Sequence, residues 1–160
     1  MRSSLRTSSR GTVWLLALFV LGACEDDPGE TSDDSSDPLT CVDDERAEDF
    51  TVDTSKMGTG SSVTNVDAMP AEPGRGDNTW TVRIADAGGT PEESMVVTLR
   101  PWMPDHGHGS PVEPEVTDLG GGEYEVQSLN LFMPGLWQIT FDLETADGTT
   151  DEVMFSICIE

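Results

Sequence analysis

An all-β fold is what residues 39–160 predict, on three observations. Apolar residues alternate with polar ones in several short runs, the period of a strand with one buried face. Turn-forming residues separate those runs at short spacing. No helical period of useful length appears in this stretch. Several short antiparallel strands in one domain's length of chain point to an immunoglobulin-like sandwich, with a small barrel as the alternative closure.

The strands are read in order. Trp80, Val82 and Ile84 alternate with Thr81 and Arg83, and Val97 and Leu99 with Thr98 and Arg100. Tyr124 and Val126 alternate with Glu123, Glu125 and Gln127. Trp137, Ile139, Phe141 and Leu143 alternate with Gln138, Thr140 and Asp142, and Val153, Phe155, Ile157 and Ile159 close the chain. Each is expected to bury one face and wet the other. Asp147-Gly148 between the last two runs is a hairpin signal, because both residues tolerate the backbone of a tight turn.

The chain ahead of this domain reads differently. Arg2, Arg6 and Arg10 precede an apolar run from Val13 to Leu21. This is the charged and apolar layout of a secretory signal, too short to span a bilayer, which takes about 20 apolar residues. Leu21-Gly22-Ala23-Cys24 resembles the bacterial lipobox. That resemblance implies cleavage before Cys24, lipid on its sulfur and anchoring at a membrane facing the periplasm or exterior. An ordinary secretory signal with a chance cysteine is the alternative. Residues 25–38 hold acids, Ser, Thr, Pro and Gly but no aliphatic or aromatic residue, so residues 24–38 are expected to form an extended, disordered tether. The formal net charge of −23 would fall by three more with the loss of the signal's arginines. Such a surface repels nucleic-acid phosphate and excludes a nucleic-acid partner.

With Cys24 assigned to lipid, Cys41 and Cys158 remain near the two ends of the folded region. An exported domain favours their pairing; two unrelated buried thiols are the other reading. Cys158 falls opposite Phe155, Ile157 and Ile159, so a bridge would lie outside the main core and pin the segment near Cys41 onto the last strand.

The only two histidines lie in Trp102-Met103-Pro104-Asp105-His106-Gly107-His108-Gly109. One residue apart, they share a side if the backbone is extended. Imidazole suits copper and zinc, and a thioether adds affinity for Cu(I). Met133, in Leu131-Phe132-Met133-Pro134-Gly135, sits in a later loop that a sandwich can bring to the same end. Met103, His106, His108 and Met133 are therefore the candidate metal ligands. The bland reading is that Trp102, Met103 and Met133 seal the sandwich and the histidines bind nothing.

From Trp80 to Ile159 the chain resembles the YtkA-like domain family, related in pattern to FixH-type proteins. The residues that carry the resemblance are Trp102-Met103-Pro104 with the following His-Gly, Gly122-Glu123-Tyr124, and Met133-Pro134-Gly135-Leu136-Trp137. It implies an immunoglobulin-like domain outside the cytoplasm and, for some members, copper handling or oxidase assembly. Where the family often places methionine between Met-Pro and His-Gly, this chain has His106, a harder ligand that leaves Cu(II) and zinc open.

Other signals are weaker. Arg75-Gly76-Asp77 spells an adhesion triplet, but Gly and Asp are ordinary turn residues before the strand expected at 78–84. Asp142, Glu144, Asp147, Asp151 and Glu152 do not follow EF-hand spacing and read as a solvated hairpin. No serine has a placed general base apart from the two histidines, and no free thiol is expected, so no enzyme is expected. The expected function is an anchored copper- or zinc-binding module. The alternative is a metal-free domain supporting an envelope protein complex.

Overall fold

A computed structural model describes residues 41–160. The expected signal peptide, the lipidated Cys24 and the acidic tether lie outside the described residues. Among the described residues there is no helix, and nine strands form two antiparallel sheets. They are β1 (Ser55–Met57), β2 (Ser61–Met69), β3 (Gly76–Asp86), β4 (Val96–Met103), β5 (His108–Gly109), β6 (Glu115–Gly120), β7 (Glu123–Leu131), β8 (Gly135–Glu144) and β9 (Thr150–Ile159).

One sheet runs β1-β2-β3-β7-β6 and the other β5-β4-β8-β9. This is the immunoglobulin-like order, a five-stranded sheet against a four-stranded one that carries the two C-terminal strands. The alternation seen in the sequence sets the core. Trp80, Val82, Ile84, Tyr124 and Val126 face inward from the first sheet. Leu99, Trp137, Ile139, Phe141, Val153, Phe155 and Ile157 face inward from the second. Gly148, at φ +86°, lets the β8–β9 hairpin close as Asp147-Gly148 predicted.

Four strands escape the alternation. In β2 the inward slots carry Val63, Asn65 and Ala68, and a register shift between Asn65 and Asp67 moves the period by one residue. The polar Asn65 and the bulge together hide the pattern. In β6 only Val116 packs partly against the core, and β1 and β5 are too short to show a period. The triplet strand also starts earlier than expected, at Gly76, because Gly76 pairs with Leu131 on β7.

The expectation of one wet face per strand fails at the β8–β9 edge. Leu136 and Ser156 point away from the core yet are buried. Nearby, Cys41 is bridged to Cys158, with Cα atoms 5.3 Å apart. The Glu48 amide donates to the Ser156 carbonyl at 2.6 Å. The bridge thus pins the N-terminal segment onto β9 outside the main core, as the sequence predicts. The same segment then turns Phe50 into the core, where its ring lies 4.2 Å from Trp80 and 5.1 Å from Phe155 between centroids.

Candidate functional site

The stretch with both histidines is a hairpin at one end of the sandwich. β4 delivers Met103, residues 104–107 turn the chain, and β5 returns it with Met103 opposite His108. Gly107 adopts φ +72°, and its amide donates to the Met103 carbonyl at 2.8 Å. The backbone between the histidines is therefore a tight turn, and the extended geometry imagined from their spacing is corrected. The turn nevertheless brings the rings together, with centroids 5.7 Å apart and planes nearly perpendicular.

The β7–β8 connection supplies the other wall. Phe132 stacks on His108 at 5.6 Å and meets Trp137 edge-on at 5.8 Å. The Trp137 indole N–H donates to the Met133 carbonyl at 3.0 Å, which holds this loop against the core. Gly135 follows at φ +127°, a conformation that side chains rarely adopt. A Cβ there would stand 2.9 Å from Met103 Cε and 3.7 Å from His106 Nε2. Gly135 thus leaves the space that the thioether and the imidazole share.

The sequence-predicted residues meet unequally. Met103 is fully buried, so its thioether lies beneath the loop and not on its surface. Met133 packs partly against the core from the neighbouring loop. The His108 Nδ1 lies 3.2 Å from the Gly109 carbonyl oxygen. If Nδ1–H donates there, Nε2 keeps its lone pair. Trp102 does not seal the sandwich: it points outward from β4 and is 45% exposed. Among the described residues, no three His, Cys, Asp or Glu side chains gather closely enough to hold a metal ion.

One neighbour of the loop had no sequence signal. Arg46, on the bridged segment, donates to Asp105 through Nη1 at 3.0 Å and Nη2 at 2.7 Å. The same guanidinium donates to Asp44 through Nε and Nη2. The hydrogen bonds from Arg46 hold the Asp44 carboxyl at about 2 and the Asp105 carboxyl below its ordinary value. A contact across 59 residues of chain leaves no local pattern to read.

The opposite end of the sandwich is closed by acids. Asp151 accepts from the amides of Thr59, Gly60 and Ser61 at 2.8–2.9 Å. Burial alone would raise its pKa, but these amides outweigh it and hold the carboxyl at about 2. Asp86 likewise accepts from Gly88 and Thr90, and the Thr90 amide leads in lowering its pKa. The acids of the β8–β9 hairpin are thus partly structural. Asp142 and Glu152 both accept from Arg100.

Fold and site together define a class: an immunoglobulin-like antiparallel sandwich with a histidine- and methionine-bearing loop at one end. The chain belongs to the YtkA-like family, whose model matches residues 48–142. Among solved structures, a DUF4426 family protein from Pseudomonas aeruginosa PAO1 is similar, at 14% identity and a TM-score of 0.47, over 66% of this chain and 96% of that one. That likeness is too distant to carry an argument about function. No curated protein matches.

Proposed function

We propose that this protein is a lipid-anchored, extracytoplasmic binding module that holds copper or zinc through His106 and His108. The observation that carries the reading is the pairing of the chain's only two imidazoles, 5.7 Å apart, on one loop beside a buried thioether. Two imidazole nitrogens with water completing the shell suit Cu(II) or zinc. Met103 and Met133 are the nearby thioethers for Cu(I), and Met103 would reach an ion only if the loop shifts outward. A metal ion and a proton compete for the same imidazole nitrogen, so affinity falls in acid. The domain works by binding and not by catalysis. Its anchor is the lipid on Cys24, and Cys24→Ala is expected to release it from membranes.

The test of the site is a titration of the full chain with zinc and with Cu(II), read by calorimetry at moderate salt to suppress nonspecific uptake by the acidic surface. His106→Ala with His108→Ala should abolish the specific isotherm. Unchanged affinity in that double variant would sink the reading.

A second reading has its own support. His108 is stacked on Phe132 and rests near the Gly109 carbonyl, and no third His, Cys, Asp or Glu donor gathers at the loop among the described residues. That favours a metal-free domain that supports an envelope protein complex. Loss of no metal affinity in the double variant makes it the better account.

A further inference from the structure

β4 is eight residues long, and its outer neighbour β5 is only two. β5 pairs with Trp102 and Met103 alone, so among the described residues 96–101 have β8 on one side and no strand on the other. The β4–β5 turn shows which backbone groups face that open side. The Met103 carbonyl accepts from the amides of His106 and Gly107, and the Pro101 carbonyl lies so near Gly109 that a Cβ there would stand 2.7 Å from its oxygen. Both carbonyls therefore point toward β5. A residue's N–H and C=O share one side of a strand, and the side alternates along the chain. The N–H and C=O groups of Val97 and Leu99 thus face the open side too, and among the described residues no hydrogen bond reaches them there. Pro101, which has no N–H, sits where the ladder to β8 does not need one.

A surface depression lies beside this edge, lined by Arg100, Trp102, Ser110, Val112, Glu113 and Pro114 among others. Trp102 and Val112 are exposed there. The surroundings are acidic. Glu113 stands in the wall, and Asp118 of β6 accepts from the Ser94 amide just ahead of β4. Arg100 is already gripped by Asp142 and Glu152, one cation against two anions.

We propose that the open edge of β4 docks an extended, cationic segment of a partner protein, which joins the sheet as an added strand. Main-chain hydrogen bonds to Val97 and Leu99 supply the pairing, and the side chains beside them supply the selection. A lysine or arginine over the exposed Trp102 ring is attracted by its quadrupole. Glu113 and the acids around Arg100 favour further positive charge on the incoming strand. A second copy of this chain is the poorer occupant, because two molecules of formal net charge −23 repel each other. The edge uses neither imidazole, so it stands apart from the metal reading.

The probe is a short fluorescent peptide of alternating lysine and valine, titrated into the full chain at moderate salt. With the peptide at about ten times its Kd, the Val97 and Leu99 amides should exchange with solvent about tenfold more slowly. Trp102→Ala should weaken binding about tenfold, the scale of one tryptophan at the centre of an interface. N-methylation of the peptide backbone keeps its charge, removes its donors, and should abolish the protection. Absence of binding overturns the proposal, as does unchanged affinity in a folded Trp102→Ala. Equal affinity of the N-methylated peptide overturns it too, because charge alone would then account for the attraction. A glutamate-for-lysine peptide that binds as tightly removes the cationic partner. Protection along β6 or β9 with none at Val97 and Leu99 places docking at another edge. Protection of those two amides that grows with protein concentration in the absence of peptide assigns the edge to a second copy and overturns the partner. Should Trp102→Ala fail to fold, the peptide series on the parent protein decides alone.

Discussion

At the end of the sandwich that holds the Gly58–Ser61 turn, carboxylates accept hydrogen bonds from loop amides; at the end that holds Met103 to His108, two imidazoles lie beside a thioether and the Asp105 carboxylate is held by Arg46. Asp151 takes four amides, Asp86 two, and Asp118 two, from Gly120 at 2.7 Å and Ser94 at 3.3 Å. Those groups use their acceptor capacity on the protein's own backbone. The histidine end depends instead on a covalent link, one guanidinium and the packing of Phe132, Trp137 and Met103. The first end spends its polar groups on stability, and the second keeps nitrogen donors available. That division is the reason the proposed binding site is assigned to the second end.

Four experiments would break or sharpen this contrast. The largest effect is expected from the bridge. Cys41→Ser with Cys158→Ser reopens a loop of 117 residues and should cost about 5 kcal/mol in the chain-entropy model, read by urea denaturation. A loss below about 1 kcal/mol would mean that backbone packing, not the link, secures the histidine end.

Next comes Asp151→Ala. It strips the acceptor from the amides of Thr59, Gly60 and Ser61, at a cost of about 1–3 kcal/mol, softened where water replaces the carboxylate. A neutral result would show that the acids at this end are merely solvated.

Acid should then act on the same end. A carboxyl whose folded pKa is depressed stabilises the fold at pH above its unfolded value and loses that contribution as pH falls through the folded one. For Asp151, held at about 2, the window runs from about pH 4 down to about 2. The amides of Thr59, Gly60 and Ser61 should lose hydrogen-exchange protection across it, and Asp151→Asn should flatten the pH dependence of stability there. Identical acid profiles for the variant and the parent would remove Asp151 from the explanation.

The smallest stability effect belongs to the histidines. His106→Ala with His108→Ala should change unfolding free energy by no more than about 0.5 kcal/mol, because His106 is exposed and His108 only half-buried. A loss of more than about 2 kcal/mol would make the rings structural and dissolve the contrast between the two ends.

The sequence by itself determined the all-β class and most of the inward faces. Alternation is a local signal, and Trp80, Val82, Phe141 and Phe155 fill the slots it assigns. It determined the β8–β9 hairpin through Asp147-Gly148, and it singled out the loop with the histidines, because rare residue types concentrated in one stretch need no structure to be noticed. Cysteine position suggested the bridge, and the alternative of two separate thiols fell when β9 brought Cys158 to Cys41. Tertiary structure decided the rest. The bulge and Asn65 broke the period of β2, so the strand became legible only through its pairing with β3. The burial of Met103 and the exposure of Trp102 depended on which face of β4 met the core, which the Trp-Met-Pro order alone leaves undecided. The stacking of Phe132 on His108 and the grip of Arg46 on Asp105 join loops distant in the chain. Such contacts leave no periodicity behind, because what selects them is the meeting of surfaces after the sheets have packed.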